Sequence, residues 1–94
     1  MAYADEQSYE EMISALQTYV TQVGEVCGVM QSAGTDCVEN TDGDPAAVKS
    51  NEKLLQCVGK IQAATESIQG IIAALQQELE DIKVAADKVN QVDN

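Results

Sequence analysis

The sequence predicts an all-α fold, a single antiparallel hairpin of two long helices. Two heptad patterns and the segment between them carry this prediction. Apolar residues recur at alternating steps of four and three from Tyr9 to Cys37, and again from Leu54 to Val89. That spacing is typical of a helix face that packs against another helix. Residues 40–45, Asn-Thr-Asp-Gly-Asp-Pro, have the composition of a tight turn between the two helices.

Helix one is predicted from about residue 5 to about residue 39. Ser8 and Glu11 have the spacing of a capping box near its start. The residues at heptad spacing, which we call the seam, continue along the whole helix. The seam of helix one comprises Tyr9, Ile13, Leu16, Val20, Val23, Cys27, Met30, Gly34 and Cys37.

The turn is predicted at residues 40–44. Gly43 tolerates a positive φ, Asp44 can cap a new helix, and Pro45 suits the first position of that helix. These residue types end one helix and start the next within a short segment, so the two helices are expected to lie antiparallel.

Helix two is predicted from about residue 45 to about residue 92 and is the longer of the two. Folding the chain about Asp42 brings the start of helix one level with about Leu79, so helix two is expected to extend about a dozen residues beyond helix one. Seam residues in that extension would then have no partner within the chain. The seam of helix two comprises Leu54, Val58, Ile61, Thr65, Ile68, Ile72, Leu75, Leu79, Ile82, Ala86 and Val89.

Both seams are wider than a two-stranded coiled coil needs. A third apolar position in each heptad adds Met12, Tyr19, Val26 and Ala33 to the first seam, and Cys57, Ala64, Ile71 and Ala85 to the second. A face of this width predicts a bundle, and two helices alone cannot surround a core. We therefore expect a second hairpin to complete a four-helix bundle. The expected partner-binding residues are Leu16, Val20, Val23, Ile61, Ile68, Ile72, Leu75, Leu79 and Ile82.

Composition and charge exclude several classes of function. The chain contains no His, which removes the commonest general base and metal ligand, and no nucleophile has a base beside it. We expect neither enzymatic activity nor a cofactor. The net charge is −11, and the first 48 residues hold nine Asp or Glu but no Lys or Arg. Such a surface repels phosphate backbones, so nucleic acid is not an expected partner.

Three cysteines and two acidic clusters are the remaining candidates for chemistry. Cys27, Cys37 and Cys57 lack the spacing of a zinc site or a redox pair. We expect them to be small buried residues with free thiols, with a disulfide between Cys27 and Cys57 as the alternative. The turn segment lacks the further oxygen ligands of a calcium loop, and the acidic residues at 78–81 lack a His, so no metal is expected.

The first seven residues lack the basic start and the apolar stretch of a signal peptide. No apolar run approaches the length needed to span a membrane. We expect the chain to be made in the cytoplasm without membrane insertion and, if it is secreted, to leave by a leaderless route.

With these features, the chain resembles the WXG (ESAT-like) family of small proteins exported by type VII secretion systems, or a related helical partner of an LXG-type toxin. The resemblance covers the whole length and concerns architecture more than motif. Where the family carries Trp-x-Gly in the turn, this chain has Thr41 and Gly43. Where the family carries an aromatic-x-x-x-acidic export signal, this chain has Val89 and Asp93.

The resemblance implies a function based on helix–helix binding. The chain would be a leaderless substrate, or the helical partner or chaperone of a substrate. Its partner would be a second copy or a different chain, such as the N-terminal helices of a toxin, and a membrane-bound secretion ATPase would recognise the pair.

Two other functions are compatible with an acidic helical hairpin. A type III secretion needle subunit, or its small chaperone, has a similar hairpin with a proline in the turn. However, its second helix is shorter than the one predicted here. A structural coiled-coil adaptor is the other alternative.

Overall fold

A computed structural model describes residues 2–92 of the chain, with side chains described for residues 6–89. Helix α1 spans Ala2–Asn40 and helix α2 spans Pro45–Val92. The two helices pack side by side in an antiparallel hairpin, which forms a rod of 74 × 15 × 14 Å between Cα extremes. The predicted all-α hairpin is confirmed. Neither helix, within the described residues, has a stretch apolar and long enough to cross a lipid bilayer.

The C-terminus of α1 closes with a Schellman motif. The backbone N–H of Gly43 donates to the carbonyl of Val38 at 2.9 Å, and that of Asp42 donates to the carbonyl of Glu39 at 3.1 Å. The motif needs a left-handed residue after the helix, and Asp42 takes that conformation with φ 52°. Gly43 follows at φ 75°, so the expected positive φ at this glycine is confirmed.

The N-terminus of α2 is capped by the side chain of Asp44. Its Oδ2 accepts hydrogen bonds from the backbone N–H groups of Ala46 at 3.1 Å and Ala47 at 3.2 Å. Pro45 occupies the first helical position. A backbone N–H at that position has no carbonyl acceptor within the helix, so the N–H that proline lacks costs no hydrogen bond. The expected roles of Asp44 and Pro45 are therefore confirmed.

The start of α1 differs from the sequence prediction. The helix begins at Ala2, about one turn before residue 5, so Ser8 lies inside the helix and is not its N-cap. The capping box predicted from Ser8 and Glu11 is therefore wrong. The two residues instead lie within α1, on either side of the first seam residue, Tyr9.

The contact between the helices follows the two seams. Most seam side chains are half-buried, because two helices leave part of each side chain open to solvent. Full burial of a large aliphatic side chain contributes about 1.5–3 kcal/mol, and few positions in this rod reach it. The buried apolar residues in the described part of the chain are Ile13, Cys27, Val58, Ile72 and Ala86.

Polar contacts between described side chains join the helices at the end opposite the turn. The hydroxyl of Tyr9 donates to Oε2 of Glu78 at 2.9 Å. Nζ of Lys83 lies 3.5 Å from Oε1 of Glu10, with both side chains about half exposed. Exposed ion pairs contribute about 0–1 kcal/mol, so these contacts fix the alignment of the helices more than they stabilise the hairpin.

The extension of α2 beyond α1 is shorter than expected. Ala86 is only 9% exposed and Ile82 is half-buried, so both have cover within the chain. The expectation that they lack an intrachain partner was wrong, because α1 starts earlier and reaches further along α2. Val89, at 59% exposure, is the seam residue of this extension that remains open to solvent.

The helices approach each other closely at Gly34. A methyl group added at Gly34 would overlap Oδ1 of Asn51 and would lie 3.0 Å from Cδ2 of Leu54. The Oδ1 atom of Asn51 is buried there without a hydrogen-bond partner. A polar side chain at one seam position costs stability but favours a single alignment of the helices. Gly34 and Asn51 therefore fix the register next to the turn.

Replacement of the cap residue is expected to destabilise the hairpin. Asp44→Ala removes two hydrogen bonds to the first turn of α2 and should lower the free energy of unfolding by about 1 kcal/mol. Glu66→Ala removes the same charge from an exposed helical position and should be neutral or slightly stabilising. Urea denaturation followed by circular dichroism compares the two variants. Equal effects would contradict the capping role.

Alanine at Gly34 should destabilise the hairpin, although alanine favours helices by about 1 kcal/mol over glycine. The overlap with Asn51 should outweigh that gain and cost about 1–3 kcal/mol. Gly70→Ala, at a position with open space, should be stabilising. Thermal unfolding measures both signs, and Asn51→Ala should partly rescue Gly34→Ala. A stabilised Gly34→Ala variant would show that the helices do not approach closely here.

Candidate functional site

One side of the hairpin is lined by exposed apolar residues from both helices. In an antiparallel pair, equivalent heptad positions of the two helices lie on the same side of their contact. The cleft next to the turn shows this arrangement, because Ala33 of α1 and Ser50 of α2 line it together around Gly34 and Asn51. The exposed apolar residues at the third apolar position of each heptad form this side, which we call the apolar flank. It consists of Met12, Tyr19, Val26 and Ala33 from α1, and Cys57, Ala64, Ile71 and Ala85 from α2.

The opposite flank is mostly polar. Gln17 of α1 faces Gln69 and Gln76 of α2 across a cleft of about 290 Å³. The ion pair between Lys83 and Glu10 closes this side further along the rod. The hairpin is therefore amphipathic, with an apolar flank and a mostly polar flank on opposite sides. An exposed apolar surface of this kind is typical of an interaction site.

Exposed apolar residues on α1 extend beyond the apolar flank. Tyr19 is 53% exposed, Val26 56% and Val29 70%. Together with the flank residues of α1, the exposed residues Ala15 and Val29 form a second heptad pattern on this helix, which Gln22 interrupts. We call this set the α1 stripe: Met12, Ala15, Tyr19, Val26, Val29 and Ala33.

Sequence reasoning missed Ala15 and Val29. The signal was present, because each lies three residues after a flank residue of α1, as the second position of a heptad does. Their exposure is evident only in the structure, where the seam of α1 packs against α2.

The nine expected partner-binding residues lie in the contact between α1 and α2. Ile72 is buried and the other eight are half-buried. Their packing surface is therefore used within the chain, and the exposed surface beside them is the apolar flank.

The turn residue Thr41 contributes to the end of α1. Its hydroxyl donates to the carbonyls of Cys37 at 2.8 Å and Val38 at 3.2 Å. This satisfies carbonyl groups that the helix leaves open at its C-terminus. Thr41 and Gly43 therefore have a structural role in the turn. Of the two residues compared with an export signal, Val89 is exposed on α2, and Asp93 lies outside the described residues.

The three cysteines occupy different environments. Cys27 is 3% exposed in the seam, whereas Cys37 and Cys57 are exposed. The expectation that all three are buried was therefore wrong for two of them. Cys37 is exposed because the α1 seam ends there and Val38 turns towards α2 instead. Cys57 belongs to the apolar flank. All three are free thiols in the structure.

Several acidic residues make structural contacts in the described part of the chain. Among those residues, no group of His, Cys, Asp or Glu is arranged to hold a metal ion. Asp44 caps α2, Glu78 accepts the hydroxyl of Tyr9, and Asp81 accepts a hydrogen bond from Gln77 at 3.1 Å. These contacts are a helix cap and hydrogen bonds between polar side chains.

Comparison with known proteins gives no match to a family model, to a curated protein or to a solved structure. The arrangement of exposed residues on the hairpin is therefore the basis for assigning a function.

The two environments predict different thiol reactivity. Cys37 should react with a maleimide in the native protein, and Cys27 should react only after unfolding, because reagent cannot reach a thiol packed between the helices. Mass spectrometry of peptides labelled before and after denaturation, without reductant, measures the difference. A native mass two hydrogens low, with Cys27 and Cys57 linked, would contradict this assignment.

Proposed function

We propose that this chain is a helix-binding protein whose apolar flank packs against a second helical hairpin to form a four-helix bundle. The observation that carries the proposal is the stretch of exposed apolar side chains along one flank, with a mostly polar flank opposite. Large exposed residues such as Tyr19, Val26 and Ile71 are more than half exposed. A contiguous apolar surface of this kind marks an interaction site in a water-soluble helix pair.

The shape of the chain supports the same proposal. A rod 15 × 14 Å in cross-section cannot enclose a core, and only five apolar residues in its described part are buried. A second hairpin on the apolar flank would bury the third position of each heptad, as in four-helix bundles. The flank extends along the rod, so it fits a helical partner better than a small molecule.

The biological setting that we propose is type VII secretion, as a substrate or as the helical partner of a substrate. Support comes from the resemblance to the WXG family in architecture, two long helices joined by a tight turn that contains Gly43. The exposed Val89 on the last turns of α2 is available to a recognising ATPase. The partner in this setting is a second copy or the N-terminal helices of a toxin.

Export by a type VII system tests the proposal. In a host that carries such a system, the full chain should accumulate in the medium. Deletion of residues 89–94 should retain the protein in cells, because it removes the recognition segment while the hairpin contact up to Ala86 remains. Immunoblots of cells and medium measure the distribution, and circular dichroism should show unchanged helix pairing.

A flank variant and a matched control complete this test. The double variant Tyr19→Ser and Val26→Ser should lose bundle formation and export, whereas Leu55→Ser, at 44% exposure near the turn on the opposite flank, should keep both. Seam residues such as Ile68 are unsuitable because their loss would separate α1 from α2. Full secretion of the truncated chain, or retention of the full chain, would count against the secretion role.

A further inference from the structure

We infer that the hairpin on the apolar flank is a second copy of this chain, related by a twofold axis along the rod. In this arrangement α1 of each copy packs on α2 of the other. The inference rests on the proposed helix pairing and adds the identity of the partner and its orientation. Two independent features of the flank support it: the sizes of the apolar residues and the signs of the charges at the edges.

The apolar residues on the two halves of the flank differ in size. The α1 half presents Met12, Tyr19 and Val26, whereas the α2 half presents three small residues, Cys57, Ala64 and Ala85, and one large residue, Ile71. Large residues pack well against small ones, and two large stripes would crowd each other. The flank therefore fits a copy in which α1 faces α2, and does not fit one in which α1 faces α1.

The charges at the two edges of the flank are opposite. On α1, Glu25 and Asp36 lie at the two ends of a shallow groove beside the α1 stripe. On α2, Lys53 and Lys60 are exposed four residues before the flank residues Cys57 and Ala64, so they lie at the heptad position next to the apolar flank. Among the residues with described side chains, Lys83 is the one lysine that forms an ion pair within the chain. The acidic edge and the basic edge are thus both available to a partner.

The floor of the groove between the two carboxylates is shallow and made of small or apolar residues. A side chain added at Gly28 would meet nothing within 4 Å, so this glycine is not needed for packing within the chain. It lets a partner side chain or backbone approach α1. The floor consists of Gly28, Val29, Ser32 and Ala33.

The register of the hairpin brings these charges to the same level. Gly34 is opposite Asn51, and Thr21 lies near Gln69 across the contact. Between these two points, Glu25 is level with about Lys60 in the antiparallel register. By the same register, Asp36 is level with the segment that holds Lys49 and Lys53.

A twofold axis along the rod keeps these levels and places α2 of the copy beside α1. Glu25 of one copy then lies next to Lys60 of the other, and Asp36 lies near Lys53. Each contact occurs twice, because a twofold interface is self-complementary. A twofold axis across the rod would instead place α1 against α1, where the first 48 residues carry nine carboxylates and no cation.

Charge reversal tests the inference with two variants of the full chain. The acidic edge is reversed by Glu25→Lys and Asp36→Lys, and the basic edge by Lys53→Glu and Lys60→Glu. Sedimentation equilibrium should show a dimer for the unmodified chain. Each variant alone should dimerise about tenfold or more weakly, since four contacts per dimer become repulsive.

Mixing the two variants in equal amounts should restore the dimer, because opposite charges then meet at every contact. Native mass spectrometry should show mainly the mixed species, which differs in mass from either homodimer. A control variant with Glu66→Lys, exposed on α2 away from the flank, should dimerise like the unmodified chain. If either reversal disturbs the fold by circular dichroism, the neutral pair Glu25→Gln and Lys60→Gln replaces it, and each should weaken dimerisation.

Two results would overturn the inference. A mixture that stays monomeric while both variants are folded would exclude this orientation. A monomeric unmodified chain at tens of micromolar, a concentration at which a bundle of this kind should pair, would exclude a second copy as the partner. In the second case, export that still depends on Tyr19 and Val26 would leave the proposed helix-binding function in place, with a different hairpin as partner.

Discussion

The contact between the two seams is the constraint on which the rest of the structure depends. A single helix of either length has no stable fold in water without a partner for its apolar face. Pairing α1 with α2 packs the two seams against each other and buries Val58 and Ile72. It also determines what remains exposed, because the third apolar position of each heptad cannot turn inward in a two-helix structure. The apolar flank is a direct consequence of this geometry.

The alignment of the helices depends on a few contacts that the seam alone would not specify. Heptad seams are repetitive, so a shift by one heptad would bury a similar amount of apolar surface. Gly34 against Asn51 near the turn, and Tyr9 against Glu78 at the other end, remove that freedom. A fixed register keeps acidic and basic positions of the two helices at defined levels, which any partner with complementary charges requires.

Much of the fold was predictable from the sequence, because heptad spacing and turn chemistry are local signals. Gly43, Asp44 and Pro45 specify the turn through their own backbone preferences and capping. The start of α1 was not predictable, since its first turns carry no capping signal that matches Ala2. The special role of Gly34 among the helical glycines was also hidden, because it depends on what lies opposite in the register.

The candidate site was only partly predictable for the same reason. The sequence distinguishes the seam from a third apolar position in each heptad, but it does not say which of these surfaces packs within the chain and which faces a partner. Ile71 and Ile72 are adjacent in sequence, yet they are 53% and 7% exposed. Only the packed hairpin shows that the seam holds the two helices together and that the flank stays exposed.

Small-angle X-ray scattering of the full chain in solution tests pairing through the apolar flank most directly. Two hairpins joined along that flank, with their turns at the same end, give twice the mass of one chain and a thicker cross-section. The particle should remain about as long as a single hairpin, which is 74 Å between Cα extremes. A particle with the mass of one chain, or a dimer much longer than one hairpin, would contradict this arrangement.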